Sequence, residues 1–205
     1  GIPYFMDTTK SLLSNPFVAY LRNAIAVIKQ GFRYGDVFRF LRTGMTDISR
    51  DDVDKLENYV RARGIRGYDM WNREFVHFHK ESAGNQEELS SLNELRIQVV
   101  SLFEKLYSQT KPEGLPAVTW CKLFYEFCVE GDLQKRLEAY ADFFEEQDDL
   151  SSAIEYRQIY RLIMELFNQI AELLGEDILS LQEFSDILDA GFAEIRVRSI
   201  PQGVD

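Results

Sequence analysis

Residues 15–31 read NPFVAYLRNAIAVIKQG. An asparagine stands before a proline. Phe17, Tyr20, Leu21, Ala24, Ile25 and Ile28 then follow at spacings of three and four, and Gly31 closes the run. Asparagine offers a side-chain oxygen to an N–H group at the helix start that has no carbonyl of its own. Proline suits the next position because the N–H it lacks would have had no partner there. Apolar residues at this spacing line one face of a helix, and glycine readily takes the left-handed turn that stops one. The stretch therefore predicts a helix that starts at Pro16 and stops at Gly31.

The same signals recur on both sides. Val37, Phe38 and Leu41 predict a short helix over 36–42 that closes at Gly44. Ser49 with Asp52 reads as a capping box, opening a helix through Val53, Leu56, Tyr59 and Val60 to a left-handed Gly64. Residues 65–85 lack a helical period and read as a loop or a short extended piece. Leu92, Leu95, Val99, Leu102 and Leu106 predict a long helix over about 87–109, and TKPEGLP then breaks the chain. Further helices are expected near 117–129, 132–147 and 151–174. Ser180 and Glu183 form a second capping box, whose helix is expected to end near Gly191. At the ends the pattern changes. Ala193, Ile195 and Val197 alternate with Glu194, Arg196 and Arg198, and IPYFM near the start is extended in character. The fold class read from this is all-α: a multi-helix, bundle-like insertion domain with short terminal strands able to pair with each other. Residues 1–14 are expected to be a strand and linker of a host domain, 15–191 the helical insertion, and 192–205 the returning strand.

Composition narrows the function. The chain has 205 residues and 45% hydrophobic content, enough for a sizeable core, with 12 Gly and 5 Pro, too few for disorder. Apolar runs are short, so no membrane contact is expected, and GIPYFMDTTK lacks the pattern of a signal peptide. Cys121 and Cys128 fall on one predicted helix, about 10 Å apart at 1.5 Å per residue. That is too far for a disulfide, and both read as small buried hydrophobes in a reduced, cytoplasmic setting. The net charge is −11, which argues against general affinity for nucleic acid. It is unevenly spread: residues 1–80 carry 13 Lys and Arg against 9 Asp and Glu, whereas residues 81–205 carry 10 against 25.

No G-x-x-x-x-G-K-[ST] loop is present, and no serine or cysteine triad can be assembled. His77 and His79, near Asp69, Glu74 and Glu81, have the spacing of two ligands on one strand face, but two histidines alone are a weak metal signal. The runs EEQDD (145–149) and GED (175–177) read as solvated helix ends. No catalytic residue, metal or cofactor is assigned to the chain. What remains is the corner RARGIRGYDMW, residues 61–71. In one reading Gly64 caps a helix while Tyr68 and Trp71 pack under the turn. In the other, backbone N–H groups around Gly64 and Gly67 cradle a phosphate, Arg61, Arg63 and Arg66 add charge, and Tyr68 and Trp71 stack on a base or sugar. Lys29, Arg33, Arg39 and Arg42 would extend that face.

Five blocks in order, IPYFMD, NPFVAYLRNAIAVI, FRYGDVFRFLRTGM, LENYVRARGIRG and FSDILDAGFAEIRVRSIPQGVD, closely resemble AddB, the second subunit of the bacterial AddAB helicase–exonuclease. The likeness covers essentially the whole chain, most clearly its first 67 and last 25 residues. It implies a piece of a much longer superfamily-one helicase-like subunit that bears a nuclease domain. With an AddA-like partner, such a subunit resects double-strand DNA ends in an ATP-dependent way for recombinational repair and responds to Chi. The piece is similar to the helical 2B insertion of the second helicase lobe. It lacks the nucleotide loop, the nuclease carboxylate–lysine motif and the iron–sulfur cysteines. Tyr156-Arg157-Gln158-Ile159-Tyr160 is only superficially like a nuclease glutamine–tyrosine element, because it sits in an amphipathic helix without partner carboxylates. The resemblance thus implies a non-catalytic domain that positions duplex DNA or the partner subunit. The alternative is a protein–protein docking module whose acidic face, residues 81–205, makes no DNA contact.

Overall fold

The computed structural model describes residues 12–76 and 86–195. Leu12–Ser14 form a 3₁₀ turn. The α-helices are α1 (Pro16–Lys29), α2 (Tyr34–Leu41), α3 (Arg50–Arg63), α4 (Tyr68–Trp71), α5 (Gln86–Gln109), α6 (Ala117–Glu130), α7 (Leu133–Glu146), α8 (Leu150–Leu174) and α9 (Leu181–Glu194). Two short strands, β1 (Leu115–Pro116) and β2 (Ile178–Leu179), pair antiparallel with Leu115 opposite Leu179. The all-α architecture is the one the sequence predicts.

The opening stretch forms the helix at the centre of the packing. Eight of the fourteen residues of α1 are buried, including Val18 and Val27, which lie off the predicted stripe. A helix apolar on nearly every side belongs in a core, and α1 touches α2, α5 and α9. Its cap is buried as well. Asn15 Oδ1 accepts the Phe17 N–H at 2.9 Å, and Nδ2 donates to Glu155 of α8 at 2.7 Å, so one side chain starts α1 and ties it to α8. Where α1, α2, α5 and α6 meet, Tyr20, Phe40, Phe103 and Phe127 pack ring against ring, with centroids 4.7–6.2 Å apart. Trp120 and Phe124 of α6 stack on Phe184 of α9.

Three details differ from the sequence reading. α2 begins at Tyr34, two residues before the expected start, because Arg33 is extended and its carbonyl accepts from Asp36 and Val37. The loop expected over 65–85 contains the single turn α4. α9 runs through Gly191 to Glu194, so Ala193 and Glu194 are helical rather than the start of a strand. Gly191 serves packing and is not a stop: a Cβ there would fall 2.5 Å from Leu166 Cδ1, so its absence lets α9 lie against α8. The IPYFM segment and residues 196–205 lie outside the described residues, as do His77 and His79.

Of the two expected capping boxes, the one at Ser180 is complete, with Ser180 and Glu183 each accepting the other's backbone N–H. At Ser49 the hydroxyl accepts the Asp52 N–H at 3.1 Å, while the Asp52 carboxylate accepts from the hydroxyl at 2.7 Å.

Candidate nucleic-acid interface

The corner at 61–67 is built from two turns that hold each other. α3 stops at Gly64, in the left-handed conformation with φ 62° and ψ 31°. Gly67 has φ 77° and ψ 152°, a region essentially confined to glycine. The chain between α1 and α2 makes a turn of its own, with Gly31 at φ 62° and Phe32 at φ 60°. A positive φ is costly for so bulky a residue. Phe32 is held there by full burial and by edge-on contacts with the rings of Tyr68, Phe103 and Tyr107. Its carbonyl accepts the Gly67 N–H at 3.3 Å, which joins the two turns.

Between them lies an open cleft of about 410 Å³. Arg33 enters from the turn before α2, Arg61 from the last turn of α3, and Arg66 from between the two glycines; Tyr34, Gly35, Val60, Gly64, Ile65 and Gly67 complete the wall. Among the described residues no ion pair holds any of the three arginines, although Arg61 donates to Asn58 Oδ1 at 3.2 Å. The acid beside them is occupied. Glu57 accepts the Tyr34 hydroxyl at 2.6 Å and pairs with Arg42. The Tyr34 bond and Arg42 hold the Glu57 carboxyl below its ordinary range, and that same bond raises the Tyr34 hydroxyl.

The geometry sorts the other sequence candidates. Arg42 is paired with Asp54 at 2.7 Å and with Glu57, Arg39 with Asp36 at 3.1 Å, and Lys29 reaches Gln182 of α9. Arg63 is half-buried, with its guanidinium 5.2 Å from the centre of the Tyr59 ring, and lies outside the cleft lining. Trp71 is fully buried and cannot stack on a base. Tyr68 is half-buried, and one face of its ring is covered by Tyr107 at 3.9 Å. The backbone cradle is closed too. The N–H groups of Gly64, Ile65 and Gly67 are taken by the carbonyls of Arg61, Val60 and Phe32, and that of Arg66 by Met70 Sδ. The cleft offers guanidinium groups rather than a ring of amides. The sequence reading holds Arg33 only as an extension of the basic face and assigns Tyr34 no part. The signal available was their position directly after the Gly31 stop, which is where an exposed turn brings side chains together.

No metal-sized cluster of three or more His, Cys, Asp or Glu occurs among the described residues. No described helix is long and apolar enough to cross a membrane.

The arginine-lined cleft is carried by an all-helical body. No family model matches the chain. Over its full length it is 38% identical to the B subunit of an ATP-dependent helicase/deoxyribonuclease from Lachnoclostridium phytofermentans, of which it covers 18%. It is 33% identical to the protein of that name from Clostridium botulinum and 30% identical to that from Caldanaerobacter subterraneus, covering 18% of each. The chain is therefore homologous to one segment of the B subunit family of ATP-dependent helicase/deoxyribonucleases, which is the family the sequence resemblance implied. It spans about a fifth of the length of these relatives.

Proposed function

We propose that the chain is a non-catalytic helical domain of an ATP-dependent helicase/deoxyribonuclease subunit acting in double-strand break repair. It positions duplex DNA by receiving a backbone phosphate between Arg33, Arg61 and Arg66. The observation that carries this reading is that these arginines line one open cleft while Arg39 and Arg42 are paired with carboxylates. Guanidinium groups without a carboxylate partner form the strong, charge-assisted hydrogen bonds that phosphate accepts. The domain supplies position and charge; ATP hydrolysis, strand cleavage and their cofactors belong to other parts of the complex with the AddA-like partner. Because the chain carries a net charge of −11, its binding to DNA in isolation is expected to be weak and confined to low salt.

The test is duplex binding at low salt by the chain and by the Arg33→Ala, Arg61→Ala, Arg66→Ala triple variant, with Arg63→Ala as control. Loss in the triple variant and retention in the control is the expected result. Equal affinity in all three sinks the DNA role.

A second reading is docking of the partner subunit on the acidic half. It is favoured by Val118, Tyr125 and Val129, exposed along α6 beside a groove of about 310 Å³ shared with α8. A pull-down with the partner subunit that persists at moderate salt is its expected outcome, and indifference to the partner removes it.

A further inference from the structure

Glu57 and Arg61 stand one helical turn apart on α3, with the acid on the N-terminal side. That is the favoured order for an ion pair along a helix. Arg61 is exposed and Glu57 partly so, and nothing in the backbone keeps the two side chains apart. Yet they do not pair. Arg61 donates instead to a neutral acceptor, Asn58 Oδ1, at 3.2 Å.

The reason lies on α2. Glu57 Oε1 accepts the Tyr34 hydroxyl at 2.6 Å, and Oε2 accepts from the Arg42 guanidinium, which also reaches Asp54 at 2.7 Å. The two donors come from opposite ends of α2, Tyr34 from its first turn and Arg42 from just past its last. Each oxygen of the carboxylate thus has a donor of its own. Arg61 is still close enough to act on the acid: the Glu57 carboxyl is held below its ordinary range chiefly by the Tyr34 hydroxyl, then by Arg42, with the charge of Arg61 adding to both. A carboxylate released from α2 and turned onto Arg61 would neutralise one of the three guanidinium groups of the cleft. It would also set a negative charge beside the place a phosphate takes.

We propose that Tyr34 and Arg42 are positioning residues for the arginine cleft: they hold the Glu57 carboxylate against α2 and so keep Arg61 open to an anion. The proposal rests on the phosphate reading above. Arg42, expected from the sequence to extend the phosphate-binding face, acts here through Glu57 and touches no phosphate itself. Tyr34 does the same with one hydrogen bond.

The test has two readouts. The first needs no DNA: the Arg61 Nε–H resonance of the isotope-labelled chain, identified by its loss in Arg61→Ala. In the Tyr34→Phe, Arg42→Ala double variant this resonance is expected to shift, because Arg61 exchanges Asn58 for Glu57. Adding Glu57→Gln is expected to bring it back. The second readout is duplex affinity at low salt. The weakening caused by the two α2 substitutions is expected to be roughly two- to fivefold larger with Glu57 present than with Glu57→Gln, the range an exposed ion pair spans. Loss of positive charge alone would weaken binding equally in both backgrounds. Arg42→Lys keeps a cation beside Glu57 and is expected to behave as the wild type in both readouts. Should the double variant melt far below the wild type, Arg42→Ala alone, at an exposed position, gives the same comparison. The proposal is overturned if the Arg61 resonance stays where it is in the wild type, or if the weakening is the same with and without the Glu57 carboxylate. The phosphate reading fails on a different result, equal affinity of the chain and its Arg33, Arg61, Arg66 triple variant. In that case the resonance alone still tells whether Glu57 is held off Arg61.

Discussion

Replacing Gly67 with alanine isolates the backbone geometry on which the arginine cleft depends. Gly67 has φ 77° and ψ 152°, and the nearest atom a Cβ would meet, Gly31 O, is 3.9 Å away. Steric collision is therefore absent, and the effect is purely conformational. That region costs a non-glycine residue about 1–3 kcal/mol, while alanine stabilises by about 0.4–1 kcal/mol through a less flexible unfolded chain. The net expectation is a loss of about 1–2 kcal/mol. Gly64→Ala is the internal comparison. Its φ 62° and ψ 31° lie in the ordinary left-handed region, with nothing within 4 Å of a Cβ, and its expected loss is smaller, about 0.5–1 kcal/mol. Urea unfolding reads both as a shift of midpoint at constant slope. Because Gly67 also donates to the Phe32 carbonyl, its variant is expected to loosen the pairing of the two turns and weaken duplex binding, whereas Gly64→Ala leaves that bond in place. A Gly67→Ala protein as stable as the wild type would refute the assigned turn.

The buried cap gives a second expectation. Asn15→Ala removes both the bond to the Phe17 N–H and the one to Glu155, and is expected to cost about 1–3 kcal/mol by thermal unfolding. Glu57 gives a pH dependence. Its carboxyl lies below the ordinary value of 4.5, chiefly through the Tyr34 hydroxyl, so its contribution to stability is present above that pH and lost as pH falls through the lowered folded value. The stability gap between wild type and Glu57→Gln should accordingly close on acidification, and a gap that widens contradicts the assignment. The thiols are expected to be inert in the folded protein. Burial pushes Cys121 up to about 11 and Cys128 higher still, so a thiol reagent at neutral pH should modify them only after denaturant is added.

Helices were legible wherever a local signal specified them. Asn15-Pro16 and Ser180 with Glu183 marked starts that the structure reproduces, because capping is decided within four residues. Gly191 misled for the opposite reason: its role is set by Leu166, twenty-five positions away, and no local rule encodes that contact. The pairing of Leu115–Pro116 with Ile178–Leu179 was likewise invisible, since strands of two residues have no period to read. The site was half legible. A run of basic residues beside glycines announced the corner, but long-range contacts, the bond from Gly67 to the Phe32 carbonyl and that from Tyr34 to Glu57, bring Arg33 alongside Arg61 and Arg66. Charge counting could not tell those arginines from Arg39 and Arg42, whose carboxylate partners lie three residues along α2 and across on α3.

Salt dependence of duplex binding tests the phosphate cleft most directly. Each phosphate neutralised contributes a slope of about −0.9 to log affinity against log salt, so the one phosphate held between the three arginines accounts for a roughly 3.5-fold weakening between about 50 and 200 mM. Removing Arg33, Arg61 and Arg66 together should flatten the slope by about one, with Arg63→Ala leaving it unchanged. A triple variant whose slope matches that of the wild type would mean that DNA, if it binds at all, binds elsewhere.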